Sequence, residues 1–224
     1  MRIAKYIANS GYCSRRDAEK LIIKGIVYVN HKICNKPNTN VHSNDLISIN
    51  NKIIKLENII KLWQFYKPIK VICTNRDPEN RKTIFDFIPK NLPRLISIGR
   101  LDYMSEGLLL LTNNGDLARK FELPSSNILR VYRLIIKGNV SNKILADINS
   151  GISINGINYK KIKVNIEKKN KIHTSIICRL KEGKNREIRN ICKFFKWEVI
   201  KLIRIQFGKY KLVNQKKGEI REIK

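Results

Sequence analysis

The sequence predicts an α+β fold, with a small N-terminal domain followed by a mixed, mainly antiparallel sheet flanked by a few helices. Three observations carry that prediction. Segments that alternate apolar and polar residues outnumber segments with helical spacing. Many of the strand-like segments are joined by turns too short for the crossover helix that a parallel pair requires. One hydrophobic pattern ends near residue 60 and a second begins at Trp63, which divides the chain into residues 1–60 and residues 63–224.

In the first domain Ile3, Ile7 and Ala8 fall on one face of a short helix that Gly11 ends. Ser14 is placed as the N-cap of a second helix, with Asp17 as the acidic member of a capping box. That helix runs through Ala18, Leu21 and Ile22 to Gly25, a natural stop. Val27 and Val29 read as one strand, and Leu46, Ile47 and Ile49 as another. Arg15, Arg16, Lys20 and Lys24 crowd the second helix while its apolar residues face away. Such a stripe is either a solvated basic face or a surface that meets phosphates.

Residues Glu57 to Leu62 read as a short linker. Trp63, Phe65 and Tyr66 then start a strand that Val71 and Ile72 continue, with a bend at Lys67-Pro68. Asp77-Pro78 and Pro89 to Pro93 mark loops around a short helix at Thr83 to Ile88. Leu129 to Lys137, Thr174 to Leu180 and Val199 to Ile205 are strands. Ser141 opens a helix that Gly151 stops, and Asn185 to Phe195 is helical with Ile188, Ile191, Cys192 and Phe195 inward. The lysine-rich end, QKKGEIREIK, reads as a low-complexity tail.

A hydrophobic content of 42% is that of a globular protein, and a net charge of +28 produces a field that an acidic polymer feels before contact. Drift towards Lys, Asn and Ile accounts for the lysines more readily than for the shortage of acids, so nucleic acid is the expected partner. The five cysteines form no Cys-x-x-Cys pair and have no histidine at ligand spacing, so neither a disulfide framework nor a zinc site is indicated. Reduced cysteines point to the cytoplasm. No apolar run reaches membrane length, and the start MRIAKYIANSG lacks a signal-peptide core. The missing GxGxxG and P-loop patterns argue against dehydrogenases and NTPases.

The rest of the chain is organised around Gly99 to Lys120, GRLDYMSEGLLLLTNNGDLARK. Leu108 to Leu111 is a buried strand or the heart of a helix, and it anchors the polar turn before it. Asp102 lies where scaffolded loops carry function, although an aspartate in a turn more often bonds its own backbone. GRLD, the following EGLLLLTN and the Gly-Asp-Leu-Ala helix start resemble the catalytic segment of the ribosomal RNA pseudouridine synthases of the RsuA family. Within that family the match looks closest to the ribosomal large subunit pseudouridine synthase B group. It continues through Tyr66 to Pro68, Val131 to Leu134 (VYRL), Glu182 to Asn190 (EGKNREIRN) and Leu202 to Gly208 (LIRIQFG). The N-terminal domain resembles the S-four-type RNA-binding domain, with Ile26 where that family tends to have Arg and His31 where a Gly usually closes the hairpin. The expected consequence is one phosphate contact fewer and a less regular turn. Lys70 likewise stands where the synthases usually have Gly, which brings the tightness of that turn into question.

The resemblance implies an isomerase with its active site in a cleft across the sheet, acting on ribosomal RNA or a ribosome-assembly intermediate as a monomer and without a cofactor. It assigns Asp102 as the catalytic carboxylate, Arg189 as its basic partner and Tyr132 as the aromatic that receives a flipped base. Arg100 is a candidate for the vacated stack or for a phosphate, and Lys184, Arg186 and Arg204 for the RNA path, with Gly183 allowing close backbone approach. Arg15, Arg16, Lys20 and Lys24 become RNA contacts of the small domain. Two rivals stand beside this reading: an RNA-binding or assembly factor that has lost the reaction, and the same reaction on small-subunit or transfer RNA.

Overall fold

The computed structural model describes residues 1–56 and 59–223. Glu57 and Asn58, the start of the expected linker, and Lys224, the last residue of the lysine-rich end, lie outside the described residues. The chain divides into two compact units: Met1–Leu62 with Pro89–Ile96 and Leu111–Ala118, and Trp63–Ile88 with Ser97–Leu110 and Arg119–Lys224.

In the first unit, helices α1 (Ile3–Asn9) and α2 (Arg15–Ile23) accompany strands β1 (Val27–Val29), β2 (Lys32–Ile33), β3 (Ile47–Ile49) and β4 (Lys52–Ile54). The strands form an antiparallel sheet in the order β2-β1-β3-β4. Ser14 caps α2 as its sequence predicts: its hydroxyl accepts from Asp17 N at 3.1 Å and donates to the Asp17 carboxylate at 2.6 Å. Ile3, Ile7, Ala18, Ile22, Val27, Ile47 and Ile49 form a fully buried core. The hairpin between β1 and β2 corrects one expectation. Val29 pairs with Lys32 across a two-residue turn, with Asn30 at φ 49° and His31 at φ 66°. Both residues hold the left-handed backbone that a tight type I′ turn needs, so the turn is regular without glycine.

The strands that follow are β5 (Leu62–Lys67), β6 (Ile96–Ile98), β7 (Glu106–Thr112), β8 (Arg130–Lys137), β9 (Ile152–Ile154), β10 (Ile157–Tyr159), β11 (Lys163–Lys169), β12 (His173–Leu180), β13 (Val199–Phe207), β14 (Tyr210–Lys211) and β15 (Ile220–Ile223). The helices are α3 (Gly115–Glu122), α4 (Asn142–Ser150) and α5 (Glu187–Phe194). One large sheet runs in the order β11-β12-β8-β13-β7-β5-β15, with β14 on β13 and β6 on β7. Its pairs from β11 to β13 are antiparallel, and β13 pairs with β7 in parallel. β7 is buried at all seven positions, so the Leu108 to Leu111 run is a strand and not a helix. Side chains of α4 and α5, among them Leu145, Ile148, Ile191 and Cys192, pack with Leu134, Ile136, Ile176 and Cys178 of the sheet.

Three segments depart from the sequence reading. β5 ends at Lys67, a turn follows at Ile69 and Lys70, and Ile72 makes a single bridge to Thr83, because Pro68 cannot donate to a ladder. Lys70 sits at φ 59° and its N–H reaches Tyr103 O at 2.7 Å, so the turn stays tight with a lysine where glycine would be unstrained. The lysine-rich end is ordered: β15 lies beside β5, and Tyr66 N donates to Glu219 O at 3.0 Å.

Candidate active site

The turn Asp102–Ser105 leads directly into β7 and is closed by Ser105 N donating to Asp102 O at 3.0 Å. Two basic side chains pin it. Lys67 extends the buried face that Trp63 and Phe65 begin on β5 and is itself fully buried. Its ammonium donates to Pro68 O at 3.0 Å, Asp102 O at 3.1 Å and Ser105 O at 2.9 Å. A buried cation is held only where such acceptors replace its water. Burial nevertheless pulls the Lys67 ammonium down to about 8, against the opposing pull of Cys73, Asp102 and Glu106. Next to this turn, the buried Glu106 pairs with Lys217 from the C-terminal segment at 2.6 Å.

Arg189 comes from α5. Its Nη2 donates to Met104 O at 2.7 Å and to Ser105 Oγ at 3.2 Å, and its Nε lies 3.6 Å from Asp102 Oδ2. Burial lowers the Arg189 pKa, and the Asp102 carboxylate opposes that shift. Arg186 Nη1 lies 3.9 Å from the same carboxylate oxygen. Arg186 caps α5 with φ 52°, a left-handed backbone that an arginine adopts at a cost of about 1–2 kcal/mol. The Asp102 side chain keeps 27% of its surface, so it is braced by two guanidinium groups and still open to a substrate.

Tyr132 on β8 stands opposite Arg204 on β13 and opposite Cys178 on β12. Asp102, Tyr132, Arg186, Arg189 and Arg204 all line one cleft of about 1120 Å³ within the second unit.

Arg100 is exposed on the cleft wall. Lys184 also lines the cleft, but its ammonium is engaged by Asn158 O, lies 3.6 Å from Glu182 and sits 5.8 Å from the Tyr159 ring, so it braces the β9–β10 hairpin. Arg204, a candidate for the RNA path, lines the cleft, is 3% exposed and donates from Nε to Leu108 O at 2.7 Å. A Cβ at Gly183 would stand 3.3 Å from Arg130 Nε, so the bareness of this residue clears room for a guanidinium. In the first unit Arg15, Arg16, Lys20 and Lys24 are all exposed, with Arg15 3.8 Å from Glu19, while Ala18 and Ile22 of the same helix are buried.

Sequence reasoning passed over Lys67, Ser105 and Arg130. A signal existed for two of them, since Lys67 continues the period-two face of Trp63 and Phe65, and Arg130 shares the face of Tyr132 two residues on.

A family model described as RNA pseudouridylate synthase matches residues 61–194, and one described as S4 domain matches residues 1–47. The chain is 47% identical over 222 residues, 99% of its length and 96% of the relative's, to a Rickettsia felis protein named uncharacterized RNA pseudouridine synthase. It is 36% identical over 227 residues to the ribosomal large subunit pseudouridine synthase B of Bacillus subtilis, covering 99% of this chain and 91% of that one. A solved structure described as a pseudouridylate synthase superposes over 100% of this chain and 96% of its own with a TM-score of 0.71 at 23% identity, a likeness of fold. Among the described residues no helix is long and apolar enough to cross a membrane. By the span of the family model and by identity to full-length relatives, the chain belongs to the RNA pseudouridylate synthase family and carries an S4 domain at its N-terminus.

Proposed function

We propose that the protein converts a specific uridine of large-subunit (23S) ribosomal RNA to pseudouridine, with residues 63–224 as the catalytic domain and residues 1–60 as an RNA-binding domain. The reaction detaches uracil from its ribose, turns the base and rejoins it through carbon five, so a carbon–nitrogen bond is exchanged for a carbon–carbon bond and nothing leaves the RNA. It needs an ionised carboxylate at the anomeric carbon, and Asp102 takes that role as nucleophile or base. The observation that carries the reading is the pair of guanidinium groups 3.6 and 3.9 Å from Asp102 Oδ2, which aim the carboxylate into the cleft and offset its charge there.

A uridine in folded RNA reaches that carboxylate only after leaving its stack. Tyr132 receives the everted base, Arg100 fills the vacated stack or holds a phosphate, and Arg186 and Arg204 line the path of the strand, with Lys184 held on the cleft wall by Asn158 O. Arg15, Arg16, Lys20 and Lys24 hold RNA through phosphates. The protein acts as a monomer, and the substrate places the work in the cytoplasm where ribosomes are assembled. Large-subunit RNA is favoured because the Bacillus subtilis relative carries that substrate in its name.

A chemical map of pseudouridines in both ribosomal RNAs, from cells with and without the protein, tests the target. One large-subunit position that loses its isomer is the expected result. A loss confined to small-subunit or transfer RNA moves the target, and an unchanged map in all RNAs leaves the protein as a binding factor.

A further inference from the structure

Four side chains on the cleft face of the large sheet fall into two facing pairs. The register sets Arg204 opposite Tyr132 and Phe207 opposite Arg130 across β13 and β8. Directly opposed residues of an antiparallel pair project from one face, and all four line the cleft. Phe207 is 2% exposed and is a platform for the two cations: the Arg204 guanidinium lies 5.0 Å from its ring centroid and the Arg130 guanidinium 5.2 Å. Phe121 stacks on the same ring at 6.2 Å.

Each guanidinium is fixed along one edge. Arg130 Nη1 donates to Ile128 O at 3.0 Å and Lys181 O at 2.9 Å, and Arg204 Nε donates to Leu108 O. Arg204 Nη2 is buried and has no hydrogen-bond partner among the described residues. Arg130 Nε and Nη2 face the bare Cα of Gly183, 3.3 and 3.7 Å from where a Cβ would stand. The carboxylate nearby, Glu187, accepts instead from Lys184 N at 3.1 Å, and burial pushes its pKa up towards the neutral form. A buried guanidinium with an unmet donor beside a second cation makes a costly arrangement unless an anion arrives to complete it.

We infer that Arg130 and Arg204, carried by Phe207, form a seat for a backbone phosphate of the RNA strand beside the everted uridine. The inference rests on the function proposed above and adds to it a residue, Arg130, and a geometry. Guanidinium forks held at one edge present fixed donors that match phosphate oxygens, whereas the exposed lysines of the surface act as screened point charges.

The test uses the full-length protein and a ribosomal RNA fragment that it modifies, synthesised with one neutral methylphosphonate at each phosphate within three nucleotides of the reactive uridine. One position is expected to raise the wild-type KM about tenfold, the loss of a charge-assisted hydrogen bond. In Arg130→Gln the same substitution is expected to cost less than about twofold, and the salt slope of binding to fall by about 0.7, one phosphate contact. The scan on wild type needs no variant, so a misfolded Arg130→Gln leaves the test standing. Normal turnover with a flat wild-type scan overturns the seat and leaves the function intact. Competition by inorganic phosphate at constant ionic strength, with a flat scan, assigns the pair to a free anion and overturns the RNA assignment. Absence of wild-type turnover on every ribosomal RNA fragment overturns the proposed function and this inference with it.

Discussion

The Arg189 guanidinium stands 3.6 Å from the Asp102 carboxylate and at the same time donates to Met104 O and Ser105 Oγ, two residues of the turn that carries Asp102. One side chain therefore supplies the counter-charge and fixes the geometry. Arg189→Ala is expected to lower turnover by about 10²–10³-fold or more. Leaving buried Ser105 without its partner costs about 1–3 kcal/mol, which a folded domain survives. Turnover and a urea titration on the same preparation check this; near-normal turnover removes Arg189 from the site.

Lys67 gives the site a pH dependence with opposite signs for stability and for turnover. Burial holds its pKa at about 8 against an ordinary 10.5, so between those values the unfolded chain binds a proton that the folded chain has released. Its contribution to stability therefore rises with pH across that window, by at most on the order of 3 kcal/mol. Turnover moves the other way, because a neutral amine has too few protons for the three carbonyls that Lys67 holds. The wild-type pH–rate profile should fall with a midpoint near 8, and Lys67→Met should show a lower, flat profile. An alkaline fall that persists in Lys67→Met assigns it to another group.

Gly107 sits where two backbones nearly touch. Its φ is 110°, and a Cβ would lie 2.4 Å from Arg204 O and 2.7 Å from Arg204 N, at the parallel junction where Glu106 pairs with Ile203 and Gly107 with Arg204. Gly107→Ala should destabilise the protein by about 3 kcal/mol or more, read from the urea midpoint. A change within about 0.5 kcal/mol, the range of an ordinary surface substitution, contradicts this close approach.

The basic face of α2 offers a separable test. Reversing Arg16 and Lys20 to Glu removes two exposed cations that make no ion pair among the described residues. If they meet phosphates, the salt slope for RNA binding falls by about 0.7 to 0.9 for each, and affinity falls with it. An unchanged slope makes the face a solvated one.

Much of the fold was legible because packing and period agreed. β5, β8, β12 and β13 show apolar alternation that needs no context, and Ser14 with Asp17 announces the start of α2. β11, KVNIEKK, and β15, IREI, were not legible, because strand pairing with β12 and beside β5 orders sequences whose own composition reads as solvated. Asp102, Arg189 and Tyr132 stood out only through their motifs, and the structure brings all three into one cleft. Arg204 lines the cleft, but its near-complete burial was not legible, because its charge outweighed its position two residues from buried Leu202. Lys67 was missed for the same reason. A cation in an apolar alternation reads as an interruption, whereas here carbonyls of the turn and of β7 take the place of its water.

The carboxylate of Asp102 is tested most directly by replacing it with asparagine, which keeps the shape of the side chain and removes its charge. In a strain whose only copy carries Asp102→Asn, sequencing of ribosomal RNA after pseudouridine-specific chemistry should find the target uridine unconverted, while the purified variant binds the same RNA within about twofold of wild type, as a contact reserved for the reacting state requires. Full conversion at that position in the variant strain, with no other synthase making it, contradicts the account.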